Sequence, residues 1–282
     1  MGKKYGWLLL IVALVFLSYS AFLQAEEEIA PEVKAAMERL KSDSPQERRE
    51  AAETLGNLRD KASLPALIEA LEDEDFGVRV NVADALGDLR DKTATPALVR
   101  ALKDENDGVR ISVVVALGYI RDEKSIEPLI GTLRKDKNEG VRISAAQVLG
   151  NLRDKRAVPP LLEALKDESS SIRATAARSL GRLDEPGAGE ALIEALKDEE
   201  VRVRLYAAES LGDLGVTSAI EPLKELLQGE DARTRCASAT ALGKLGDKSG
   251  LDVALKELDS EDIQIKTGAI SCLLYTSDAA DE

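Results

Sequence analysis

Val78-Arg79-Val80-Asn81-Val82-Ala83-Asp84-Ala85-Leu86-Gly87-Asp88-Leu89-Arg90-Asp91 decides the fold, because this stretch returns along almost the whole chain. Its Leu-Gly pair stands at Leu55-Gly56, Leu86-Gly87, Leu117-Gly118, Leu149-Gly150, Leu180-Gly181, Leu211-Gly212 and Leu242-Gly243, at steps of 31, 31, 32, 31, 31 and 31 residues. A fixed period of this size predicts a solenoid, in which a unit too thin to bury its apolar face alone does so against its neighbours. Within the unit, Val78, Val82, Ala85, Leu86 and Leu89 fall on one side of a helix. Just upstream, Leu64, Leu67, Ile68 and Leu71 repeat at helical spacing, and Pro65 stands near the helix start, where its missing N–H costs nothing. Glu72 to Gly77 between them reads as a turn. The spacing therefore predicts an all-α fold, an α-solenoid of about eight stacked antiparallel helix pairs. Small residues such as Ala83 and Gly87 let neighbouring helices approach closely.

Two charged columns share the period. Arg48, Arg79, Arg110, Arg142, Arg173, Arg204 and Arg235 occupy one phase, and Asp73, Asp104, Asp136, Asp167 and Asp198 occupy the turn between helices. An arginine fork beside a turn aspartate can satisfy the open carbonyls of a helix end and tie successive layers together. Phosphate or nucleic-acid binding is the alternative use of such a column, but it needs surplus positive charge. Here an acidic partner is expected for every arginine, and the ladder reads as structural.

The residues Val78-Arg79, Ala83 to Gly87, Arg90-Asp91 and Pro96 to Val99 together resemble a HEAT repeat of the short type named after phycobilisome bilin lyases. The resemblance runs over about residues 31 to 271 and implies the solenoid fold. It implies little about activity, since such repeats serve scaffolds, enzymes and adaptors alike.

Composition and the chain ends narrow the reading. The 282 residues carry a net charge of −14, 3% aromatics and no histidine. Few aromatics with many Ala and Leu suit thin helical layers rather than one large core. Lys3 and Lys4, the apolar run Trp7 to Leu17 and a cleavage position after Ala25 have the layout of a secretory signal peptide. The expected organisation is thus a leader over 1–25, a linker over 26–30 and the solenoid over 31–271. Export to the periplasm or cell exterior follows, with anchoring to a membrane by residues 7–23 as the alternative. Residues 272–282 break the repeat, with Leu274 where a glycine is due, and resemble a translated sequencing adapter rather than native sequence. Cys236 lies in an apolar column and behaves as a small hydrophobe. The DEPGAG stretch over 184–189 replaces the usual helix proline with two glycines and is the expected place of a local bend.

The residue types for chemistry are missing. Without histidine there is no Ser-His or Cys-His nucleophile pair and no imidazole metal ligand. Deoxyhypusine hydroxylases, also built of such repeats, hold two irons through His-Glu pairs, so that activity is not expected; nor is a phosphate loop present. The turns at Asp104 and Asp136 echo calcium loops, but the glycine comes one place early and the bidentate glutamate is missing. No cofactor or metal is expected, and none of the chain is expected to be catalytic.

What remains is the concave face lined by the second helix of each pair. Its exposed columns, from Glu53 to Thr240 and from Asn57 to Lys244, vary in residue type where structural columns do not. Val115, Tyr119, Arg178, Arg182 and Tyr206 stand out there as the expected recognition patch, since Tyr and Arg are favoured interface anchors. The function expected is a non-catalytic scaffold or adaptor acting as a monomer on a protein partner, neutral or basic given the acidic chain, with nucleic acid repelled. The alternatives are the targeting arm of a longer enzyme, or a divergent bilin-lyase-like protein.

Overall fold

The computed structural model describes residues 29–278. Sixteen helices fill these residues in eight pairs. They are α1 Pro31–Arg39 with α2 Pro45–Leu58, α3 Leu64–Ala70 with α4 Phe76–Leu89, α5 Thr95–Ala101 with α6 Asp107–Ile120, and α7 Ile126–Lys135 with α8 Glu139–Leu152. The series goes on with α9 Val158–Ala164 and α10 Ser170–Leu183, α11 Gly189–Ala195 and α12 Val201–Asp213, α13 Ile220–Leu226 and α14 Ala232–Lys244, and α15 Leu251–Glu257 and α16 Ile263–Asp278. Each long, even-numbered helix packs on its own short partner and on the long helices of the layers before and after. The expected leader, and the linker up to residue 28, lie outside the described residues. Helix α16 runs across residue 272 to Asp278, with Cys272 buried, and residues 279–282 lie outside the described residues.

Local chemistry sets the helix starts. Ser44, Asp75, Asn106, Asn138, Ser169 and Asp231 cap the long helices, each side-chain oxygen accepting from a backbone N–H three residues on. The short helices begin in a single tight turn capped by Asp60, Asp91, Asp122 and Asp154. Between a long helix and that cap the backbone enters the left-handed region, at Arg59 (φ 53°), Arg90 (51°), Arg121 (56°), Arg153 (57°) and Asp184 (57°), and at Gly215 and Gly246 in the last layers. The DEPGAG stretch forms the same tight turn over Pro186–Ala188, and Gly189 opens α11 in phase with the other layers.

The Leu-Gly pair is the seam between layers. The leucines at 55, 86, 117, 149, 180, 211 and 242 are fully buried. A Cβ on Gly87 would stand 3.0 Å from the Ala116 Cα, and one on Gly212 would stand 2.8 Å from the Ala241 Cα, so the backbones meet where side chains would prevent it. The seam is looser once. Gly118 faces the branched Val148 in place of the alanine or serine found at the other junctions, and α6 and α8 pack over a shorter stretch than the other long-helix pairs. Leu274, which falls on the glycine phase, is exposed in the last described layer.

The arginine and aspartate columns meet across layers. Arg79 holds Asp104 with two bonds of 2.7 and 2.9 Å, Arg110 holds Asp136 at 2.8 and 2.9 Å, and Arg173 holds Asp198 at 2.8 and 2.9 Å. Arg48 does the same to Asp73. The third nitrogen of each fork donates backwards to carbonyls of its own turn, as Arg110 Nη1 does to Asp104 at 2.8 Å and Glu105 at 3.2 Å. The fork therefore closes its own helix entry and clamps the next layer. Arg142 clamps loosely, 3.9 Å from Asp167. The expectation of an acidic partner for every arginine is corrected at Arg204: the aspartate column ends at Asp198, Gly229 stands at the next phase, and Arg204 binds only the Asp198 and Glu199 carbonyls. Arg235 takes Glu257, from outside the column.

Candidate functional site

The long helices project their varied columns from one face, and the middle layers concentrate its unusual side chains. Arg178 on α10 and Tyr206 on α12 are one layer apart, and the guanidinium lies 5.2 Å from the ring centre. Arg182, one helical turn beyond Arg178, donates to the Asn151 side chain of α8. These residues line a depression of about 220 Å³, with Gln147 and Arg202 on its wall. A second, wider depression of about 520 Å³ adjoins it, lined by Arg121, Gly150, Asn151, Arg153 and Arg182. Arg182 is the shared wall. Arg121 donates to the Asn151 carbonyl at 2.8 Å, so one asparagine orients two arginines from two layers.

Positive charge dominates this region. Burial pushes the Arg182 pKa down, and Arg178 and Arg153 push it further. Glu209 of α12 faces Arg178; burial raises its pKa, Arg178 opposes that, and Asp213 adds to it. No ion pair joins Glu209 to Arg178 among the described residues.

The structure brings three of the expected patch residues, Arg178, Arg182 and Tyr206, into one depression. Tyr119 stands apart on α6, 52% exposed, with Arg90 at 5.9 Å from its ring. Val115 is half-buried on the same helix and lines neither depression. Sequence reasoning passed over Arg121, Arg153 and Arg202. The first two share the phase of Arg59 and Arg90 and so do not stand out. Arg202 had a visible signal, since it replaces Gly77, Gly108, Gly140 and Ser171 at one phase.

Cys236 is buried, its thiol pushed up to about 11 by desolvation first, which makes it unreactive. Among the described residues no group of three or more His, Cys, Asp or Glu is placed to hold a metal ion, and no helix is long and apolar enough to cross a membrane.

A family model for HEAT repeats matches residues 33–118, 78–150, 126–203 and 189–274. The chain is a HEAT-repeat protein. Among solved structures, this HEAT-repeat protein is similar in fold to YibA of E. coli, with a TM-score of 0.59 at 21% identity over 91% of this chain and 96% of that one. It also matches the complex of CpcE and CpcF of phycocyanin lyase from Nostoc sp. PCC7120, with a TM-score of 0.49 at 24% identity over 90% of this chain and 97% of that one. Human deoxyhypusine hydroxylase follows at 0.41 and 24%, covering 88% and 96%. These likenesses are of fold alone. No curated protein matches the chain.

Proposed function

We propose that this HEAT-repeat protein is a non-catalytic scaffold that binds another protein on the face of its long helices, centred on the middle layers. The observation that carries the reading is the gathering of Arg178, Arg182 and Tyr206 in one depression of an otherwise ladder-paired surface. Interfaces draw most of their energy from a few Tyr, Trp and Arg anchors set in such hollows. A catalytic alternative has little to work with, since the chain carries no histidine. The protein acts as a monomer, exported behind its leader, and its acidic surface favours a partner that is neutral or basic overall.

The test is affinity capture and mass spectrometry from the envelope fraction of the source cells. The wild type is compared with a triple variant, Tyr119→Ala, Arg178→Ala and Arg182→Ala. A partner that is retained by the wild type and lost with the variant supports the reading; a partner retained equally by both refutes the assigned patch. Amino-terminal sequencing of the mature chain from the same fraction checks the export step, a start at Glu26 being the expected result.

A further inference from the structure

The ion-pair inventory of the surface is uneven. Most arginines are matched to a carboxylate, in the ladder or in surface pairs such as Arg134 with Glu163 and Arg233 with Asp262. Among the described residues, Arg90, Arg100, Arg121, Arg153, Arg178, Arg182, Arg202 and Arg204 have no carboxylate within ion-pair distance. Five of these eight, Arg121, Arg153, Arg178, Arg182 and Arg202, line the two adjoining depressions. A chain of net charge −14 has ample acid to neutralise them, yet it sets none against them at bonding distance. Like charges gathered in one place repel, and at Arg182 burial first and then Arg178 and Arg153 push the pKa down. The arrangement is one that an incoming anion completes.

We propose that the arginine cluster of layers three to six takes a short acidic segment of the protein partner, extended across the layers so that its carboxylates seat in the guanidinium forks. This rests on the scaffold reading above and names the chemistry of what the scaffold holds. Guanidinium and carboxylate are planar and match in two parallel bonds, so arginine is suited to a carboxylate wherever orientation counts. Two of the forks are already oriented, because Asn151 accepts from both Arg121 and Arg182. The Tyr206 ring beside Arg178 supplies an apolar wall for the segment's backbone and methylene groups.

Dimensions set the length. The cluster extends from the end of α6 to the start of α12, that is, over three steps between long helices. At about 9 Å between packed helices this is about 27 Å across the layers; Arg202 shares the phase of Gly108 while Arg121 follows the helix end, which adds about 20 Å along the helices, and the diagonal of about 33 Å takes about ten extended residues at about 3.3 Å each. Charge sets the class. A polynucleotide or an anionic bilayer would also meet the acid outside the cluster and be repelled by it, whereas a segment of this length stays within the positive field. The partner is then neutral or basic overall while carrying a local acidic run.

Fluorescence anisotropy on the full chain tests this, with a rhodamine-labelled decapeptide of alternating Glu and Ala. The same peptide with Gln for Glu, an oligothymidylate and phosphatidylserine vesicles serve as comparison probes. The expected result is saturable binding of the Glu peptide that weakens about tenfold for each of R178Q and R182Q, with Arg100→Gln neutral. Retained helical circular dichroism in each variant shows that the loss is not unfolding. The proposal is overturned if the Glu peptide does not bind, if the Gln peptide binds equally, if binding survives R178Q/R182Q/R202Q, or if oligothymidylate or vesicles bind more tightly than the peptide. A captured partner that depends on Arg178 and Arg182 but is not displaced by the Glu peptide would sink the acidic segment while leaving the scaffold standing. A partner indifferent to those arginines would sink the scaffold patch itself.

Discussion

Arg110→Met separates the clamp between layers from an ordinary surface ion pair. Arg110 and Asp136 are almost enclosed, their side chains 4% and 8% exposed, and two bonds of 2.8 and 2.9 Å join them. Methionine keeps most of the stem and removes the charge, leaving the Asp136 carboxylate buried with a single backbone donor, the Asn138 N–H at 2.9 Å. It also strands the Asp104 and Glu105 carbonyls. Removing one partner of a buried pair costs about 3–5 kcal/mol. The remaining donor to Asp136 places the expected loss near the lower end, at about 3 kcal/mol. Arg204→Met removes only two carbonyl bonds, both at a partly wet site, for an expected loss of about 1 kcal/mol. Adding Asp136→Asn to Arg110→Met should restore part of the loss, because the stranded group is then neutral. Equilibrium urea unfolding followed by helical circular dichroism measures all three, compared only where the slope is unchanged. If Arg110→Met and Arg204→Met cost the same within error, the clamp to the next layer contributes nothing and the ladder is merely a set of helix caps.

Glycine to alanine should change sign with position: Gly131→Ala, in α7 with nothing within 4 Å of the new methyl, should stabilise by about 0.5–1 kcal/mol in urea unfolding. Gly212→Ala should destabilise by about 1–2 kcal/mol, overpacking against the Ala241 backbone outweighing the gain in helix propensity; stabilisation at both sites would refute the close seam. Acid should weaken the fold through carboxylates held low by arginine, Asp75 by Arg49 and Asp154 by Arg156, both pushed down to about 2. Their folded pKa lies below the unfolded value of 3.8, so their contribution is present above that value and lost as pH falls towards about 2. The urea midpoint should drop over this interval less steeply in Asp154→Asn than in wild type, and parallel curves would remove Asp154 from the account.

The layers were legible because the constraint behind them repeats. A glycine is needed wherever two long helices touch, so the Leu-Gly pair marks each seam, and Ser44, Asp75, Asn106, Asn138 and Ser169 cap the starts of α2, α4, α6, α8 and α10. The direction of the clamp was not legible. Arg79 and Asp104 are 25 residues apart, and which aspartate a fork reaches depends on the rise between layers, which no local pattern encodes. The site was legible in half. Arg178 and Arg182 lie within α10, where spacing gives the face. Arg121 and Arg153 end their helices in the left-handed conformation, and there helical spacing no longer says where a side chain goes.

The place of the arginine cluster follows from where the regular stack is relaxed. The one step of 32 residues inserts its extra residue between Leu117 and Leu149, and the seam of that same step meets Val148 instead of a small residue. A branched side chain against Gly118 holds α6 and α8 apart along part of their length, and the wider depression opens beside this junction, at Arg121, Gly150 and Asn151. The clamp across α6 and α8, Arg110 with Asp136, stays closed at 2.8 and 2.9 Å, but the clamp of the next step slackens, Arg142 of α8 standing 3.9 Å from Asp167, and it is missing at Arg204 two layers on. The wider hollow thus opens beside the breach between α6 and α8, where three of the five arginines, Arg121, Arg153 and Arg182, meet.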